Sequence, residues 1–146
     1  MNNKIETAVQ KFTSGHNCAQ SVLFAYSDEI DIEKNTALKI AWAFGAGIGR
    51  KQEICGAVTG GIMAISLKHS RFQNELNFTT NKIYSKTREL MDRFQEKHGT
   101  CKCSELLQGC NLLTEEGQRY FKENDLFNKI CVECVKSVSY ILEEIL

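Results

Sequence analysis

The chain contains no proline in 146 residues. Proline makes up roughly 5% of an average sequence. It is also the residue that most readily breaks a helix, because its ring fixes φ and removes an N–H. A chain without it can run as consecutive helices stopped by glycine and polar turns, and the apolar residues recur at helical spacing. Ile5, Ala8, Val9 and Phe12 predict a helix over Lys4–Phe12, ended by Gly15. A second helix begins near Asn17 or Cys18, with Ala19, Val22, Leu23 and Tyr26 on one face. Asp31 is suited to cap a third, whose stripe is Ala37, Ile40, Ala41 and Phe44, with Trp42 as core. Three glycines within Phe44–Arg50 then open a loop.

Cys55 to Leu67 is apolar nearly all round and rich in small residues. It reads as a buried helix in which Gly56, Gly60 and Gly61 admit a neighbouring backbone or a cofactor, since glycine inside a helix costs about 1 kcal/mol against alanine. Asn77–Asn81 reads as a polar junction, followed by an amphipathic helix over Lys82–His98 that ends at Gly99. A helical turn at Glu105–Gln108, a helix beginning at Thr114 and a last helix from Leu126 to Glu144 complete the chain. No segment alternates with period two. The expected fold is all-α: one domain over residues 1–146, a bundle of about six or seven helices around a central glycine-rich apolar helix.

Eighteen basic residues balance eighteen acidic ones, which argues against a nucleic-acid surface. The most apolar region, Ile40–Leu67, is interrupted by Arg50-Lys51-Gln52-Glu53, so no membrane span is expected. Met1–Gln10 is polar and lacks the apolar core of a signal peptide. The expected location is therefore cytoplasmic, where clustered cysteines mean metal or redox chemistry more often than structural disulfides.

There are seven cysteines. Cys18, Cys55, Cys103 and Cys131 all fall at expected helix starts. There, free N–H groups and the dipole favour the thiolate, which is both nucleophile and metal ligand. The spacings are not those of a zinc finger. Cys131 and Cys134 form a C-x-x-C with no histidine after it, so covalent haem is not expected. Cys134 falls on the apolar stripe of the last helix and reads as core, while Cys101 and Cys110 read as loop thiols. His16, beside Cys18, reads as a surface residue. His69 and His98 lie at helix C-termini, where they meet the dipole. Gly45-Ala46-Gly47-Ile48-Gly49 lacks the spacing of a dinucleotide loop and follows a helix. Its glycines would instead bring backbone close to a cluster, with Arg50 and Lys51 as counter-charges or solvated loop cations.

Gly15-His16-Asn17-Cys18-Ala19-Gln20-Ser21-Val22, Phe44–Arg50 and Cys55-Gly56-Ala57-Val58-Thr59-Gly60 together resemble the C-GCAxxG-C-C family of redox-active proteins. Cys103-Ser104-Glu105-Leu106-Leu107 and Cys131-x₃-Val135 resemble its third and fourth cysteine segments, so the likeness runs from about Phe12 to Leu146. The family's four cysteines would map onto Cys18, Cys55, Cys103 and Cys131, with Cys101 an alternative for the third. Cys101, Cys110 and Cys134 would be additions of this chain. The family is similar to part of split-Soret cytochromes, but the haem motif is missing here.

The resulting expectation is a four-thiolate site at Cys18, Cys55, Cys103 and Cys131, approached by Gly45, Gly47, Gly49 and Gly56. It would bind an iron–sulfur cluster for electron transfer or sensing. Alternatives are a metal-free dithiol–disulfide couple, for example Cys18 with Cys55, and a structural zinc site. The partner would be a redox protein or small thiol, and the long amphipathic helices would allow a homodimer.

Overall fold

The computed structural model describes residues 3–71 and 75–146, and every regular element among them is helical. Helix α1 (Asn3–Thr13) buries Ile5, Ala8 and Phe12. Gly15, at φ +119°, turns the chain. Helix α2 (Cys18–Ala25) then starts behind a capping box: Asn17 Oδ1 accepts from the Gln20 N–H at 2.9 Å, and Gln20 Oε1 accepts from the Asn17 N–H at 3.0 Å. Helix α3 (Lys34–Ala41) runs into a 3₁₀ turn at Trp42–Phe44. There follow a short turn α4 (Gly45–Ile48), helix α5 (Gly56–His69) and the long α6 (Leu76–His98). Helices α7 (Cys103–Leu106) and α8 (Glu115–Glu123) come next, and a π turn at Phe127–Cys131 leads into α9 (Val132–Ile145).

The main core lies between α1, α2, α5, α6 and α9. Its fully buried side chains include Leu23, Val58, Ile65, Leu90, Phe94, Val135 and Leu142, each stabilising by about 1.5–3 kcal/mol through burial. Helix α2 is as enclosed as α5, with Ala19 to Leu23 all buried. The two cross closely because Gly60 presents no side chain: a Cβ there would lie 2.8 Å from Ala19 O. Buried Tyr26 is satisfied by donating from its hydroxyl to Ser139 O and Glu143 Oε1, both at 2.8 Å. A second, smaller apolar cluster caps the bundle, with Cys103, Leu107 and Cys110 buried and Leu112, Phe121 and Leu126 packed against them.

Several local expectations are corrected. Glu33 caps α3, not Asp31, which sits at φ +57° two residues earlier. Ile40 and Trp42 point outward, 51% and 67% exposed, because the core-facing stripe of α3 is formed by Ala37 and Ala41. Asn77–Asn81 belongs to α6 and is no junction. Its polar side chains lie on a largely solvated stretch, where their weak helix propensity costs only tenths of a kcal/mol each.

The glycine-rich loop is the least ordinary segment. Ala46, Gly47, Ile48, Gly49 and Arg50 all have positive φ, at 52, 65, 69, 57 and 66°. This is one turn of left-handed coil. A left-handed residue with a Cβ costs about 1–2 kcal/mol, and glycine at alternate positions limits that strain to three residues. The turn is tied down by Gly49 N–H to Ala43 O at 2.9 Å and Glu53 N–H to Gly47 O at 2.9 Å.

Candidate redox centre

Cys18, Cys55, Cys103 and Cys131 line one cavity of about 170 Å³ between the main core and the cap, and Cys134 lines it with them. Each thiol arrives by a different route. Cys18 is the first residue of α2, behind the Asn17 cap. Cys55 is the N-cap of α5. Cys103 opens α7 and is fixed opposite Cys55 by a short antiparallel pairing. In that pairing Ile54 bridges Lys102, the Cys55 N–H donates to Cys101 O at 2.8 Å, and the Cys103 N–H donates to Glu53 O at 2.7 Å. Cys131 closes the π turn before α9, and Cys134 lies about one helical turn further on.

Apart from Asn17 the remaining walls are apolar, with Phe12, Leu107, Phe121 and Phe127 among them. Gly47 and Gly56 complete the lining. A Cβ on Gly56 would run into Cys18 Sγ, and one on Gly47 would lie 2.8 Å from Cys103 Cβ. The other two glycines singled out from the sequence stand back. Gly45 packs on the Asn17 side chain, and Gly49 faces open space.

Burial decides the electrostatics. Helix starts were expected to favour thiolates at four positions, and only Cys55 behaves so. The Cys134 thiol donates to its sulfur, and the N–H groups of Ala57 and Val58 add to this against the effect of burial, so Cys55 is held below the usual thiol range. Cys18 is pushed up to about 12 by burial and by neighbouring Cys55, although N–H groups of Ala46, Ala19 and Cys18 itself point at its sulfur. Cys103 is pushed up to about 12 by burial, then by Cys55 and Cys18. Cys131 is raised by burial and then by Cys18 and Cys55, and it begins no helix: the chain is already helical from Leu126, so Cys131 has no free N-terminus of its own. Cys134 is raised first by its hydrogen bond to Cys55 and then by burial.

Of the neighbouring pair, Cys103 reaches the cavity and Cys101 does not. The Cys101 thiol packs in the main core and donates to Met91 O at 3.5 Å. Cys110 lies in the cap and donates to Gly117 O at 3.0 Å. None of the three histidines lines the cavity. His98 Nε2 pairs with Ser137 Oγ at 2.8 Å, while His69 Nε2 is buried without a partner among the described residues. Gln52 carries no motif and is nevertheless central to the cap. It is buried, donates from Nε2 to Cys110 O at 2.7 Å, accepts the Leu112 N–H at 2.8 Å and hydrogen-bonds the Cys103 thiol.

The sequence profile of a family described as "Putative redox-active protein (C_GCAxxG_C_C)" matches residues 16–145. The chain belongs to this family. An uncharacterized protein of Archaeoglobus fulgidus is 27% identical to it, over 77% of this chain and 79% of the relative. No solved structure matches. The family span takes in all five cavity thiols and the left-handed turn. No helix among the described residues is long and apolar enough to cross a membrane.

Proposed function

We propose that the cavity binds a cysteine-ligated iron–sulfur cluster and that the protein moves or senses single electrons. The observation that carries this reading is the convergence of Cys18, Cys55, Cys103 and Cys131, from four separate parts of the chain, on one apolar cavity. The residues fit such a group. Thiolates are the ligands that clusters take. The volume is bounded on one side by Gly47 and Gly56, which leave it unfilled. Among the described residues no three His, Cys, Asp or Glu groups are gathered tightly enough to hold an ion, so the cavity thiols would close in on whatever metal they take, a cluster or a single zinc.

A bound cluster supplies reversible one-electron transfer. The chain's own groups do the rest. Cys18, Cys55, Cys103 and Cys131 would be the ligands. N–H groups of Ala46, Ala57 and Val58, aimed at the Cys18 and Cys55 sulfurs, stabilise negative charge there. Cys134 remains as a fifth thiol that hydrogen-bonds a ligand sulfur, the kind of contact that tunes a potential. Phe12, Phe127 and Leu107 keep water out. The raised thiols must give up protons on metallation, so binding releases protons and strengthens as pH rises.

Serine substitution one cysteine at a time tests this. Cys18→Ser, Cys55→Ser, Cys103→Ser and Cys131→Ser are expected to lose most bound iron, and Cys101→Ser and Cys110→Ser to keep it. Unchanged iron in all four cavity variants would refute the assignment.

The hydrogen bond between Cys134 and Cys55 favours a second reading, a dithiol–disulfide couple. The Cys55 thiolate would attack a small-molecule disulfide and expel one thiolate. Cys134, losing its proton, would then attack the Cys55 sulfur and expel the second small thiolate, leaving a Cys55–Cys134 disulfide and two reduced small thiols. This pairs Cys55 with Cys134, where the sequence suggested Cys18. Mass spectrometry of metal-free protein treated with oxidised glutathione distinguishes the pairings.

A further inference from the structure

The left-handed turn has two faces. Ala46 and Gly47 line the thiol cavity, while the next residue, Ile48, is 42% exposed. The wall between the site and solvent is thus one backbone thick. The Gly49 N–H bonded to Ala43 O joins the turn to the Trp42–Phe44 segment, where Trp42 is 67% exposed. Trp42 is also coupled to the site: Asn17 Nδ2 donates to Trp42 O at 2.8 Å, and Asn17 both caps the helix that begins with Cys18 and lines the cavity.

Charge along this stretch is predominantly positive, although exposed Glu53 shares a groove with Arg50 and Lys51. Between Glu33 and Glu53 the chain carries Lys34, Lys39, Arg50 and Lys51 and no acidic residue, within a sequence of zero net charge. Lys39, Arg50 and Lys51 are exposed, and none of them forms an ion pair among the described residues. An exposed tryptophan joined to a turn that presents Ile48, Arg50 and Lys51 has the make-up of an interface centre with a steering rim.

We propose that this face docks an acidic protein electron carrier against the thin wall of the thiol cavity. The carrier's role rests on the redox reading above; the docking itself does not require it. A second copy of the chain fits less well, because pairing this face with itself would oppose like charges. Nucleic acid fits less well too, since the centre of the face is aliphatic and aromatic and only three unpaired cations surround it.

The test is an amide-shift titration of the full ¹⁵N-labelled chain. The probe is an acidic plant-type ferredoxin with gallium in place of iron, so that no electron transfer is involved. A basic lysozyme and a single-stranded oligonucleotide serve as comparisons. Shifts are expected at residues 39–43 and 48–51 and at the indole N–H of Trp42, the chain's one tryptophan. Arg50→Glu with Lys51→Glu should weaken binding about tenfold or more, as should raising salt from about 0.05 to about 0.5 M. Trp42→Ala, at an exposed position that leaves the core intact, should weaken it at both salt levels. No binding of ferredoxin, shifts confined to other surfaces, or equal binding of lysozyme or oligonucleotide at these residues would overturn the proposal. Because the readout needs no bound iron, a failed cluster assignment and a failed docking surface give different results.

Discussion

Gly60→Ala puts the link between packing and site under the most direct stress. The new Cβ would lie 2.8 Å from Ala19 O, 3.2 Å from Ala19 Cα and 3.2 Å from Val22 Cβ. The first two are backbone atoms of α2 and cannot rotate aside, so α2 must move away from α5. Overpacking of this kind costs about 1–3 kcal/mol. Alanine returns up to about 1 kcal/mol through better helix propensity. Because backbone meets backbone, the upper part of the first range applies, and the net loss should be about 1–2 kcal/mol. For a chain of this size that is a fall in Tm of roughly 3–8 °C. Thermal unfolding followed by far-ultraviolet circular dichroism measures it. The displacement also separates the start of α2, with Cys18, from the start of α5, with Cys55, so bound iron should fall in parallel. A variant as stable as the wild type or more stable would mean that propensity outweighs contact, and the close α2–α5 crossing would be refuted.

Gln52→Ala removes both hydrogen bonds that tie the Cys110–Leu112 loop to the turn, and should cost about 1–3 kcal/mol in denaturant unfolding because a buried carbonyl and N–H lose their partners. No change would place the cap's anchorage elsewhere. His69 is pushed down to about 4 by burial, with Lys82, Lys86 and Lys68 adding to it. The unfolded chain therefore takes up this proton near pH 6.5 while the folded chain waits until about 4, and stability falls on acidification through that window. The wild type should lose more stability than His69→Gln between these pH values; parallel curves would contradict the burial of Nε2 without a partner among the described residues. In metal-free protein, Cys134→Ala removes the donor to Cys55, so the Cys55 thiolate should form at higher pH, read as thiolate ultraviolet absorbance. An unmoved titration would show that the Ala57 and Val58 N–H groups suffice.

What could be read from the sequence depended on the range of the interaction. The all-helical fold was legible because apolar spacing and the lack of proline are local signals, and so were the helix starts at Cys18, Gly56 and Glu115. The Asp31 reading failed because α3 begins two residues later, behind Glu33, and the Trp42 reading failed because the residue type suggested burial while the core-facing side of α3 is Ala37 and Ala41 and its larger residues stay outside. The left-handed turn was legible only as three glycines. Its hand depends on Ala46, Ile48 and Arg50 accepting strained φ to direct the Ala46 N–H at Cys18. Cys134 was placed correctly in the core, yet its position one turn from Cys131 also brings it to the cavity, a relation that C-x-x-C on a helix already implies. The lowered thiol expected at four helix starts survives only at Cys55, because desolvation and the proximity of like charges emerge only when the sulfurs are assembled. Gln52 and the Ile54–Lys102 bridge join segments some 50 residues apart and leave no local trace.

The central claim is that the cavity thiols form one redox centre. The most direct test is the visible spectrum, with iron and acid-labile sulfide analysis, of the full chain purified without oxygen. The account predicts broad visible absorption that bleaches on reduction, with iron and sulfide in comparable amounts, all mostly lost in Cys55→Ser. A colourless protein that takes up neither iron nor sulfide on anaerobic reconstitution, with its cavity thiols still free, would contradict it.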